Sequence, residues 1–160
     1  MPPSADSAIG CDPMQLTFTK RHGKYDDLRI DRPDGSSETI QCPKQGIIPH
    51  DMVHYAVESG LAHGGFLGLV ADGKAAEFTT AGGDSEEAIE RLVESFQAEL
   101  WGGRVPTEEL LCTYELACDA RGHPAAPVSA EDVARIRDRL DDLTARWAEV
   151  PVNGSLTLEF

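Results

Sequence analysis

The feature that most constrains the fold is a change of hydrophobic period part-way along the chain. In the run QLTFTK, Leu16 and Phe18 alternate with Thr17 and Thr19, and in YDDLRID the alternation resumes with Leu28 and Ile30. A period of two sends successive side chains to opposite faces, so each run reads as a half-buried strand. HGK (His22 to Lys24) separates the first two runs as a turn. RPDGS follows the second, where Pro33 presets one backbone dihedral and Gly35 can take the left-handed conformation. SSETIQC then supplies a third strand, and the three together are expected to form an antiparallel meander.

From Asp84 the period becomes helical. Ile89, Leu92, Val93, Phe96 and Leu100 fall on one stripe, Asp84 is placed to cap the helix with Glu87 three residues on, and Gly102-Gly103 stops it. TEELLCTYELACDA is a second helix, with Thr107 expected as its cap. A third is expected from about Ser129 to Ala148, where Val133, Ile136, Leu140, Leu143 and Trp147 are spaced 3, 4, 3, 4. That seam packs against another helix, and one within the chain is favoured over a dimer partner. SLTLEF alternates again, a final strand able to close an edge of the first sheet. Strands before helices indicate an α+β fold: a three-stranded meander, joined by a C-terminal strand, against about four helices. Residues 15–160 are expected to form a single domain and residues 1–14 a frayed tail.

Charge narrows the partners. The net charge of −14 argues against nucleic acid and against an anionic membrane surface, both of which need concentrated Lys and Arg. No apolar run is long enough to span a bilayer, and the first residues lack the basic and apolar pattern of a secretory signal. Cys11, Cys42, Cys112 and Cys118 form no C-x-x-C pair and read as reduced thiols of a cytoplasmic protein. A small molecule or another protein remains as partner, and the chain is expected as monomer or homodimer.

The chemistry concentrates in IIPHDMVHYAVESG, residues Ile47 to Gly60. Pro49 suits a helix start and Gly60 a helix end. With His50 at zero on a helical wheel, His54 falls at roughly 40°, Glu58 at roughly 80° and Asp51 at roughly 100°. One outward wedge then carries four metal-capable groups, while Met52, Val53, Tyr55, Ala56 and Val57 turn to the core. Two imidazoles one turn apart can share a metal ion, zinc being the first expectation, and a neighbouring carboxylate can activate a bound water. On this reading His50 and His54 are metal ligands, Glu58 or His63 is the third, and Asp51 and Glu58 are the candidate catalytic carboxylates. Cys42 and His22 are further candidates for the third position. The other reading makes the same cluster a hydrogen-bonded polar network in a non-catalytic binding or structural module.

His-Asp-x-x-His resembles the His-Glu-x-x-His motif of the zincin proteases, but Asp51 replaces their glutamate base. His63 follows His54 at a longer interval than the metzincin ligand would, and Glu77 lies outside the helix pattern of the other zincin branch. HDMVHYAVE followed by GLVADG is similar to a group of small uncharacterised bacterial proteins with a His-Asp-Leu-x-His-Tyr-x-Val-Glu motif. The resemblance covers roughly residues 16–80 and implies that His50, Asp51, His54 and Glu58 belong to a recurring motif; it implies no activity. Elsewhere the residues read structurally. The glycines of GGFLGLVADG allow close packing behind the motif helix, Trp101 and Trp147 are expected in the core, and DSEEAIE and DRLDD are expected as solvated helix faces.

Overall fold

Three tightly connected strands and one distant strand make up a single antiparallel sheet, seen in a computed structural model that describes residues 13–44, 47–61 and 84–160. Strands β1 (Gln15–Thr19), β2 (Tyr25–Asp31) and β3 (Ser37–Pro43) are the expected meander. β4 (Ser155–Glu159) lies on the other side of β1, giving the order β3-β2-β1-β4. The register puts Leu16 between Ile30 and Leu158, and Phe18 opposite Leu28, on one face. Leu16, Phe18, Leu28, Ile30, Cys42 and Leu158 are all buried there. The opposite face is polar, with Thr17 paired to Thr157 at 3.2 Å and Thr19 to Ser155 at 2.7 Å. Gly35 has φ of +92° in the turn before β3, the left-handed conformation its sequence context called for. Met14, the last residue of the expected tail, directly precedes β1. It is buried and exchanges both backbone hydrogen bonds with Phe160, at 3.1 and 2.8 Å.

Among the described residues four helices pack with this sheet: α1 (His50–Gly60), α2 (Asp84–Gly102), α3 (Thr107–Ala120) and α4 (Ala130–Ala148). α1 touches β3, α2 and α4, while α3 packs on α2 and α4. All five seam residues of α4 are buried, and the seam meets α1 of the same chain. The approach is close. A Cβ placed on Gly60 would sit 2.8 Å from Ile136 Cγ1, and Arg135 Nε donates to the Gly60 carbonyl at 3.0 Å. Ser129 starts α4 with a reciprocal capping box: its hydroxyl accepts from the Asp132 N–H, and the Asp132 carboxylate accepts from the Ser129 N–H.

Two local expectations are corrected. Thr107 is not the cap of α3, which begins after Pro106 without a side-chain cap. Its hydroxyl instead accepts from Arg137 Nη1 at 3.3 Å, because Arg137 is drawn there by Glu99, to which it donates at 3.0 and 2.6 Å. Trp147 is in the core against the edge of Phe18, but Trp101 is 61 % exposed. One residue past Leu100, it is rotated about 100° off the apolar stripe. The side chain of Asp84 and the segment FLGLVADGK lie outside the described residues. No helix of the described residues is long and apolar enough to cross a membrane.

Candidate metal centre

α1 begins directly after Pro49, whose φ of −60° and ψ of 147° are extended rather than helical. Its core face is as expected: Met52, Val53, Ala56 and Val57 are completely buried. The polar wedge is different. With β3, α2 and α4 packed around the helix, His54 and Glu58 are also buried, whereas His50 and Asp51 are partly exposed. Tyr55 is only half-buried, its hydroxyl donating to the Glu159 carbonyl at 2.9 Å on the edge of the sheet.

The group that completes the centre comes from α2. Glu90 reaches across so that Oε1 lies 3.7 Å from His50 Nε2 and Oε2 lies 3.3 Å from His54 Nε2. The two imidazoles stand edge to face, with centroids 4.9 Å apart and planes at 82°. One donor atom from each of His50, His54 and Glu90 falls within 4.8 Å of the other two. On a tetrahedral zinc ion with bonds of 2.0–2.1 Å, donor atoms are about 3.3 Å apart. The 3.3 Å from His54 matches that edge and the 3.7 Å from His50 exceeds it slightly, the two ending on different oxygens of Glu90.

The remaining sequence-designated residues fall in different places. Glu58 contacts the far nitrogen of His54, with Oε2 3.2 Å from Nδ1, so it faces away from the side on which Glu90 sits. Asp51 is not one of the converging donors, and its carboxylate lies near the Cys42 thiol. Burial, and then Asp51, push that thiol far up, so Cys42 is held as a neutral S–H and is a poor ligand. His22 is exposed in the β1–β2 turn and is not one of the converging donors. His63 and Glu77 lie outside the described residues.

Glu90 is the member of the cluster that sequence reasoning missed. It belongs to DSEEAIE, which looks like a solvated acidic face, yet its side chain is only 23 % exposed. The available signal was its position beside Ile89 and one turn before Val93, at the border of the apolar stripe of α2.

The electrostatics follow from this enclosure. Burial alone would strip the proton from His54, but Glu58 and Glu90, one on each ring nitrogen, outweigh it and hold the imidazole up at about 10. Burial likewise opposes the charge on Glu90, yet His50 and His54 keep its carboxyl well below the ordinary range. The centre is thus a dense N, N, O donor set in which the His54 imidazolium and the carboxylates stabilise one another against burial. Comparison with protein-family models, with curated proteins and with solved structures gave no match at the level used to assign kinship.

Proposed function

We propose that the chain binds one divalent metal ion through His50 Nε2, His54 Nε2 and a Glu90 carboxylate oxygen, and that zinc is the ion this donor set favours. The observation that carries the reading is the convergence of three donors from two separate helices to within 4.8 Å. Two imidazoles and one carboxylate are a catalytic rather than a structural zinc set, because they leave a fourth position for water. His50 and Glu90 are partly exposed, at 29 % and 23 %, in contrast to 7 % for His54, so water would have access to a metal held by this set. A zinc-bound water ionises near pH 7, so hydrolysis is the reaction class that such an opening supports. Asp51, engaged by Cys42, is not assigned a role in it.

A second reading is favoured by one specific observation, the carboxylate on each nitrogen of His54. In it the imidazolium itself is the occupant and the cluster is a structural ion network of a non-catalytic module.

Elemental analysis of protein purified without a polyhistidine tag separates the two. The metal reading expects close to one zinc per chain, lost in Glu90→Gln and in the double variant His50→Ala/His54→Ala. Glu90 is the sharper probe, since nothing in the motif itself marks it. Metal-free wild type that takes up no zinc from solution, with variants that only melt earlier, would establish the ion network instead.

A further inference from the structure

We infer that Glu58 is the positioning residue of this centre: its carboxylate accepts the Nδ1–H of His54 and so commits Nε2 to the metal. The inference rests on the metal reading above and deepens it. Glu58 follows His54 by one helical turn and its side chain has no exposed surface, with Oε2 3.2 Å from Nδ1. An imidazole has two nitrogens on divergent edges, and the hydrogen bond made by one decides which is left for a metal. Here Nδ1 is taken by a carboxylate on the same rigid helix, and Nε2 points to Glu90 at 3.3 Å. Glu58 therefore cannot serve as the third ligand without abandoning the contact that aims the second.

The burial of Glu58 supports a functional role. A fully desolvated carboxylate costs several kcal/mol unless a partner offsets it. Carboxylates in this outer position fix the ring tautomer and make the metal-bound imidazole more basic, and their loss typically weakens metal affinity about 10–100-fold. His50 differs. It is more exposed, and no contact of its Nδ1 with a described carboxylate accompanies the one from its Nε2 to Glu90. His54 is thus the fixed ligand of the pair and His50 the one that rotates to close the set.

The test uses the full chain and zinc itself, with a chromophoric chelator as competitor. Glu58→Met removes the acceptor while keeping the volume, and Glu58→Gln keeps an acceptor but removes the charge. The expected result is a zinc Kd raised 10–100-fold in Glu58→Met and by less in Glu58→Gln. In nitrogen-15 spectra of the zinc-loaded wild type, His54 should carry its proton on Nδ1, a signature that a merely structural role would not set. Equal zinc affinity in wild type and both variants, or zinc on Nδ1 of His54, would overturn the inference while leaving the metal centre intact. Wild type that binds no zinc would overturn both.

Discussion

Consider replacing Gly60 by alanine. The added methyl would stand 2.8 Å from Ile136 Cγ1, while the Ile136 backbone, at 3.7 Å, would be in ordinary contact. Cγ1 is bonded directly to Cβ and sits on a fully buried side chain of α4, so it cannot swing clear as a long chain end would. Overpacking of this kind costs about 1–3 kcal/mol. Alanine recovers at most about 0.5–1 kcal/mol of helix propensity, and less at the last residue of a helix. The net expectation is a loss of about 1–2 kcal/mol, or roughly 2–8 °C in Tm for a chain of this size. Thermal and urea denaturation of Gly60→Ala measure it directly. A double-mutant cycle identifies the cause: in an Ile136→Ala background the clashing atom is gone, and Gly60→Ala should become neutral or stabilising. Gly60→Ala as stable as wild type, or the same loss in both backgrounds, would refute the claim that α1 and α4 are in limiting contact here.

Two further perturbations probe charge. In metal-free protein the His54 pKa is raised from 6.5 to about 10, so its contribution to stability is fully present below pH 6.5 and is lost as pH rises toward 10. Melting curves in the presence of a chelator should therefore fall more steeply between pH 7 and 10 for wild type than for His54→Gln; parallel curves would refute the two-carboxylate clamp. Arg137 and Glu99 are 13 % and 6 % exposed and joined in a two-pronged pair, which also donates to the Val105 carbonyl at 2.7 Å. Arg137→Met strands a buried carboxylate and should cost about 3 kcal/mol, toward the low end of the range for broken buried pairs because Arg104 stays nearby. The double variant Arg137→Met/Glu99→Leu should regain most of the loss, and urea titration of all three proteins decides it.

The parts of this protein legible in its sequence are those in which local pattern and tertiary environment agree. The alternation around Leu16, Phe18, Leu28 and Ile30 and the five-residue seam of α4 each reported the buried face correctly. That SLTLEF closes an edge of the first sheet followed from the same alternation, whereas its choice of β1 as partner did not. The site was half legible. His50 and His54 belong to one helix, and a helical wheel suffices to bring them together. Glu90 is on another helix, and no periodicity within either segment specifies which helices will face one another. Enclosure was illegible for a related reason: His54 and Glu58 are polar, and a wheel assigns polar residues to solvent unless a partner of opposite character is known to lie opposite. Asp51 went astray because its wheel angle, roughly 100° from His50, is also the direction of the Cys42 thiol on β3.

The placement of β4 beside β1 has a consequence for how the centre comes into being. β1, β2 and β3 are joined by short turns and can pair soon after they are made, but the ladder from Gln15 to Glu159 must wait for the intervening chain to close. Contacts of such long sequence separation slow folding, because the entropy of closure is lost before the contact rewards it. α1 and α2, which hold the three donors, both lie within that span. A metal ion that recognises only the finished arrangement would then find its site late, and would act chiefly by slowing the opening of the ladder rather than by hastening its formation. If the proposed site takes zinc, the effect of the ion is accordingly expected in the unfolding rate.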